Sequence, residues 1–387
     1  MAQPNNLNKS LAAFDPNNTL VAVVEMSQSS WLVGGVVPGV DRQPLKKLQP
    51  DEHALFELLS RWRDEALKAG CRITRTAVAY EAGRDGFWLA RWLLAAGIEA
   101  HVIHSSSVAV SREHRRAKTD RLDTGLLKRS FLGWLRGDAN HCTMAAIPTL
   151  EEEDDKRANR EHQTLVGERT RLINRMKGAM TRLGVRNFKP TLRNAAEYLP
   201  NLRTPNDEPI PPKTQAELRR DLLRLRLIKS QIKEIETARD QEMAKAPDHG
   251  THPMMRLLAK IMGIGIETAD MLVHEVLSRE FRDRRAVARF AGLTGSPDES
   301  GKRRREKGLA KAGSARIRRG LIQLAWRWLW FQKDSALTQW YRARTVDGRR
   351  DTRKVMIVAL ARKLLIALWR LVKTGEMPEA AVLRPTS

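Results

Sequence analysis

Residues 19–37, TLVAVVEMSQSSWLVGGVV, contain the strongest fold signal in the chain. Two β-rich apolar runs flank the polar segment SQSS, which predicts two strands joined by a turn. RITRTAVAYEA (72–82) and IEAHVIHS (98–105) predict two further strands. Between them, GFWLARWLLAAG (86–97) has apolar residues at helical spacing and a glycine at its end, which predicts a helix.

The segment DRLDTGLLKRSFLGWL (120–135) predicts a second helix after the last of these strands. Strands that alternate with helices are typical of a sheet with helices packed on it. The sequence therefore predicts an α/β domain over residues 1–148.

Composition changes abruptly at EEEDDKRANR (151–160), and a helical region is expected over residues 149–248. The Pro- and Asn-rich stretch 187–213 would join two helices into an antiparallel hairpin. This hairpin could be a coiled coil that serves dimerisation, or its apolar stripes could be the core of a helical domain. The stripes are Leu165, Leu172, Met176 and Leu183, then Leu218, Leu222, Leu225, Ile228, Ile232 and Ile235.

A third, mostly helical region is predicted over residues 249–345, followed by a basic helix and tail over 346–387. LLAKIMGIGIETADMLVHEV (257–276) has the pattern of a helix-hairpin-helix, although a plain helical turn explains it about as well. A Gly-, Ser- and Arg-rich loop then leads into a helix that contains Trp326 and Trp330. Because these two are one turn apart among Leu and Ile, we expect them in the core rather than as platforms on which bases stack.

The charge of the chain favours a polyanionic partner. Sixty-nine Lys and Arg oppose 45 Asp and Glu, which gives a formal net charge of +24. The two cysteines, Cys71 and Cys142, are not spaced as a zinc site, and a reducing compartment fits them. No apolar stretch reaches membrane-spanning length. We expect a soluble cytoplasmic protein that binds nucleic acid and no membrane.

Four carboxylates form the candidate catalytic centre. Glu25 and Glu81 each end a predicted strand, so they would meet at one edge of the sheet. Asp120 and Asp123 are three residues apart at the start of a helix, where both can lie on one face. First-turn acids are often simply solvated residues that stabilise the helix dipole. Four converging carboxylates, in contrast, would bind divalent metal, and a pair of magnesium ions is the usual means of cutting phosphodiesters.

The chain resembles transposases of the insertion sequence 110 family, often called DEDD transposases. The matching segments are YEAGRDGFWLARWL (80–93), AKTDRLDT (117–124), IMGIGIETA (261–269) and the stretch from Phe281 to Ala325. They cover the chain from about residue 19 to residue 330, and their order and spacing are specific. The resemblance implies an N-terminal domain related to ribonuclease H and the Holliday-junction resolvase RuvC, a helical coiled coil and a C-terminal transposase domain.

The resemblance implies that Glu25, Glu81, Asp120 and Asp123 hold Mg²⁺, as two ions. This chain departs from the family at its first acid, which is typically Asp and is Glu25 here. Asp15 and Asp41 are nearby, but neither ends an apolar strand. Glutamate reaches one methylene further, which could shift the geometry that magnesium demands.

A second catalytic element is implied by the same resemblance: a serine nucleophile in the C-terminal domain. The best match is Ser300, with Ser314 and Ser296 as weaker candidates. The adjacent basic run would hold a DNA phosphate and stabilise its developing charge. The expected nucleic-acid-binding residues are Arg112, Arg115, Arg116, Lys118 and Arg121 beside the acids, and Lys302, Arg303, Arg304, Arg305 and Lys311 beside the serine.

The implied partners are double-stranded donor and target DNA, a structured noncoding guide RNA, and further copies of the chain in a homodimer or homotetramer. Such a protein would work at the bacterial nucleoid. Two alternatives stay open: a metal-dependent Holliday-junction nuclease that uses water alone, and a degenerate protein that binds nucleic acid without cutting it.

Overall fold

The apolar run at residues 19–37 forms the two strands that it predicts, and they belong to a six-stranded sheet. Its strands are β1 (Thr19–Met26), β2 (Trp31–Val36), β3 (Leu45–Leu48), β4 (Arg75–Glu81), β5 (Glu99–Ile103) and β6 (Met144–Ala145). They lie in the order β3-β2-β1-β4-β5-β6. β1 is antiparallel to β2 and parallel to β4, and β4 is parallel to β5. The computed structural model describes residues 10, 13–104, 107–108, 120–138, 141–245, 251–300, 303–310 and 313–385, with the backbone alone at 297–300 and 303–307.

Helices cover both faces of this sheet. They are α1 (Glu52–Lys68), α2 (Trp88–Ala95) and α3 (Asp120–Leu135). On one face Leu20, Ala22 and Val24 of β1 share a core with α1 and α2. On the other face the alternate residues Val21 and Val23 share a core with α3. Because successive side chains of a strand point to opposite faces, the continuous apolar run of β1 fits a strand buried on both sides.

The remaining elements are mostly helices, as expected for the C-terminal region. They are α4 (Leu150–Asp154), α5 (Arg157–Arg182), α6 (Ala195–Tyr198), α7 (Pro212–Lys245), α8 (His252–Ala259), α9 (Ile266–Leu272), α10 (Arg284–Phe290), α11 (Ala315–Phe331), α12 (Ala336–Arg344) and α13 (Arg350–Thr374). A 3-10 turn (Leu199–Asn201) follows α6, and a π-helical turn (Val273–Leu277) continues α9. None of the helices within the described ranges is both long enough and apolar enough to span a membrane.

Contacts group the chain into two units. The first contains Met1–Glu151 and Arg279–Ala315, and the second contains Glu152–Ser278 and Arg316–Ser387. The sheet, α10 and the serine region thus fall in the first unit. The long helices and α13 fall in the second. The division of the sequence at residues 148, 248 and 345 stays a prediction.

The predicted helical hairpin is formed by α5 and α7. His162 contacts Glu236 and Arg175 contacts Asp221, so the two helices run antiparallel. Their apolar stripes share a core with Phe188, Leu199 and other residues of the connecting segment. The stripes are therefore buried inside this unit.

Two local expectations were wrong. The loop expected before α11 contains an antiparallel hairpin of β7 (Gly295–Ser300) and β8 (Arg303–Leu309). Its strands carry charged and polar residues, so they lack the apolar alternation by which a strand is detected. Trp326 and Trp330, expected in the core, are 49% and 72% exposed, whereas Trp328 between them is fully buried.

Candidate active site

Glu25 and Glu81 lie side by side at one edge of the sheet. β1 and β4 are parallel and pair Val24 with Tyr80, so the next residue of each strand is a glutamate. Neighbouring strands are about 4.8 Å apart. By alternation, Glu25 shares a face with Val21 and Val23, and Glu81 shares that face with Ala77 and Ala79. It is the face that α3 covers.

Asp120 and Asp123 lie in the first turn of α3. The hydroxyl of Thr124 donates to the main-chain carbonyl of Asp120 at 2.6 Å, and its methyl group packs on Gly34. A Cβ at Gly34 would lie 2.9 Å from that methyl carbon, so the glycine permits the close approach. Gly34 pairs with Val23, two residues before Glu25. The first turn of α3 therefore packs over the end of the sheet that carries the glutamates.

The four carboxylates share a face and an edge without forming a closed cage. Among the residues that the structure describes, no three His, Cys, Asp or Glu side chains are close enough to hold a metal ion. Glu25 is half-buried and Glu81 is exposed. Carboxylate oxygens are nevertheless the donors that Mg²⁺ prefers. The donor chemistry and the shared face fit magnesium, while the side-chain spacing is wider than a bound ion requires.

Ser300 is the last residue of β7 and pairs with Arg303 of β8. Its side chain, like those of Arg304 and Arg305, is not described. The hairpin belongs to the same compact unit as the carboxylate edge. Ser314 donates its amide N–H to the carbonyl of Phe290, ahead of α11, and Ser296 lies within β7.

The predicted phosphate-binding residues beside the acids lie mostly outside the described residues. Arg121 is described, exposed and located between Asp120 and Asp123. Four predicted phosphate-binding residues beside the acids and two beside the serine lie outside the described ranges: Arg112, Arg115, Arg116 and Lys118, and Lys302 and Lys311.

His104 is a residue at this edge that the sequence analysis gave no catalytic part. It follows β5, and the neighbouring register pair is Glu81 with Ile103. Burial lowers the pKa of His104, and the positive charge of Arg279 lowers it further. Its position directly after a strand is visible in the sequence, whereas the pairing of β4 with β5 decides that it lies one residue beyond the partner of Glu81.

A mixed sheet with acids at one edge, joined to a strongly basic helical region, fits the class of enzymes that act on nucleic acids. Comparison with known proteins makes this specific. The family described as "Transposase IS116/IS110/IS902 family" matches residues 255–342. The curated protein "Putative transposase y4rJ" of Sinorhizobium fredii (strain NBRC 101917 / NGR234) is 41% identical over 372 residues, which cover 93% of each chain. The chain belongs to the IS116/IS110/IS902 family of transposases.

Proposed function

We propose that this transposase cuts and rejoins DNA to move an insertion sequence, with Glu25, Glu81, Asp120 and Asp123 as its carboxylate centre. The observation that carries the proposal is that Glu25 and Glu81 are neighbours on the face that α3 covers, with Asp120 and Asp123 in the first turn of that helix. The strand order β3-β2-β1-β4-β5 has three antiparallel strands and then two parallel ones. It supports a sheet of the ribonuclease H and RuvC type.

The four carboxylates would hold magnesium, as two ions. When bound, magnesium would stabilise negative charge on the reacting phosphate. The carboxylates themselves would fix the position of that phosphate at the edge of the sheet. Arg121 lies between the two aspartates and would offset their repulsion of the DNA backbone.

Ser300 is proposed as the nucleophile. Its Oγ would bond to phosphorus as the bond to one DNA strand breaks, and that strand would leave with a free hydroxyl. Arg303, Arg304 and Arg305 would neutralise the phosphate during this exchange. In the homodimer or homotetramer that the resemblance implies, the serine of one subunit would meet the carboxylate centre of another.

A structured noncoding RNA is proposed as the guide that pairs with donor and target DNA. If base pairing with the RNA recognises the DNA sequence, the protein needs only positive charge to hold the nucleic-acid backbones. This would explain the net charge of +24. The α5–α7 hairpin is the candidate dimerisation element, through surfaces other than the apolar stripes that its own core buries.

The test uses the full chain, purified from cells that express the complete element, with supercoiled donor and target DNA and magnesium. We expect a discrete RNA in the complex and recombinant junctions as products. Asp120→Asn and Ser300→Ala should abolish the junctions while DNA binding persists. Asp64→Asn, an exposed acid of α1 on the other face, and Ser230→Ala, at an exposed serine of α7, are the matched controls.

Other outcomes would contradict the proposal. Cleavage that survives Ser300→Ala would favour a junction nuclease that uses water. DNA that is bound and never cut would favour a degenerate binding protein, and Glu25→Asp should then restore cleavage if the longer side chain is the cause.

A further inference from the structure

A row of aromatic and polar side chains runs along the solvent side of α11, in the second unit. Arg319, Gln323, Trp326 and Trp330 are spaced four, three and four residues apart, which places them on one side of a helix. All four are exposed. We name these four residues the α11 stripe.

The tryptophans of the α11 stripe are not needed for the core. Trp328 fills that role and donates its indole N–H to Ser335. Trp326 rests edge-on against Tyr341 of α12, with ring centroids 6.5 Å apart and planes at 72°. This contact orients Trp326 and leaves it half exposed, and Trp330 is 72% exposed.

The part of the chain that carries the α11 stripe is rich in basic residues. From Arg316 to Ser387 the chain has sixteen Lys and Arg against five Asp and Glu. Trp340 of α12 already has cations on its ring: Arg344 Cζ lies 5.2 Å and Lys363 Nζ 4.8 Å from the centroid. Arg327 is held beside the stripe by its hydrogen bond to Thr268.

Aromatic rings beside basic residues are the combination that binds unpaired nucleic acid, because bases stack on the rings while cations hold the phosphates. Four residues of helix rise about 6 Å, so Trp326 and Trp330 can each receive one of two successive bases. Two copies that met at this surface would bring the like charges of their basic C-terminal segments together. The charge therefore favours a polyanion over a second copy.

We propose that the α11 stripe binds an unpaired strand of nucleic acid, with bases stacked on Trp326 and Trp330 and phosphates near Arg319. The strand could be a single-stranded part of an RNA or of DNA opened during recombination. The stripe belongs to the second unit and the carboxylate edge to the first, and the proposal does not depend on the catalytic residues.

The test measures binding of labelled 15-nucleotide (dT) and (rU) strands, and of a duplex, to the full chain. Trp330→Leu keeps an apolar side chain and removes the stacking surface. We expect its Kd for the single strands to rise about tenfold, and that of Trp326→Leu/Trp330→Leu to rise further. Duplex affinity should change less than about twofold, since paired bases are not free to stack.

Trp330→Phe should retain most of the affinity, because a ring remains. Leu227→Ala, which alters a 60% exposed apolar residue of α7, is the matched control and should bind normally. A preference of the stripe for (rU) would assign it to RNA, and a preference for (dT) to DNA. Unchanged single-strand binding, or an equal loss on duplex, would overturn the proposal. So would a change of oligomeric mass in Trp330→Leu, which would assign the stripe to a protein interface.

Discussion

Arg75 and Glu99 form a two-point ion pair across the neighbouring strands β4 and β5. The guanidinium contacts the carboxylate through Nε at 2.6 Å and Nη2 at 2.8 Å, and His101 adds a contact at 2.7 Å. Burial raises the pKa of Glu99, but the hydrogen bonds from Arg75 and His101 outweigh it and lower the pKa to about 2. The carboxylate is thus stabilised in its charged form next to the core of the sheet.

Glu99→Gln should destabilise the protein at neutral pH by about 1 kcal/mol, a modest value because the pair is partly exposed. Because folding lowers the pKa of Glu99, the ion pair contributes its full stabilisation above the unfolded-state pKa of about 4.3. This stabilisation is lost as the pH falls toward the folded-state pKa of about 2. Urea unfolding between pH 2 and pH 7 measures this. Glu65→Gln, whose ion pair with Arg42 is more exposed, should show a smaller loss. Identical pH profiles for Glu99→Gln and the native protein would contradict the prediction.

At the scale of elements, buried ionic contacts join α5 and α7 to the helices around α9. His162 of α5 lies between two carboxylates: its Nε2 is 3.0 Å from Glu236 and its Nδ1 is 2.8 Å from Glu267. The hydrogen bonds to Glu267 and, less strongly, to Glu236 raise the pKa of His162. Burial and the charge of Arg239 lower it, and the net shift is upward. The imidazolium therefore links three helices.

His162→Gln should cost about 1–3 kcal/mol of unfolding free energy at pH 6, since it removes a buried charged hydrogen-bonding group. Because folding raises the pKa of His162, its stabilising contribution is complete below the unfolded-state pKa of about 6.5 and is lost as the pH rises through the folded-state pKa. Over this pH interval the unfolding free energy of the native protein should therefore fall more steeply than that of His162→Gln. Urea unfolding followed by helical circular dichroism measures both.

The control is His141→Gln, because His141 forms an exposed ion pair with Asp138. It should change stability by less than about 0.5 kcal/mol. A variant of His162 with native stability and native pH dependence would show that the histidine does not link the helices.

For the whole molecule, the net charge of +24 governs association with nucleic acid. If six to ten phosphates are neutralised, affinity for duplex DNA should fall roughly 10³- to 10⁵-fold between 50 and 200 mM salt. Fluorescence anisotropy with a labelled duplex at several salt concentrations measures the slope. Trp330→Leu should leave this slope unchanged, because it removes no charge. A slope near zero would mean that the charge does not contact the backbone.

The sequence by itself determined four of the six strands, that α3 spans 120–135, and that Glu25 and Glu81 stand at strand ends. It did not predict β3, β6 or α1. Apolar periodicity and turn residues are local properties, and adjacent residues are enough to express them. The net charge and the family motifs were likewise available from the residues alone.

Only the tertiary structure decided that β1 lies beside β4, and hence that the two glutamates are neighbours on the face under α3. It also grouped the serine hairpin with the sheet, placed His104 one residue beyond the partner of Glu81 and turned Trp326 and Trp330 to solvent. These features depend on which distant segments pair and which side of a helix is covered. Such contacts are set by packing between parts of the chain far apart in sequence, and no local pattern encodes them.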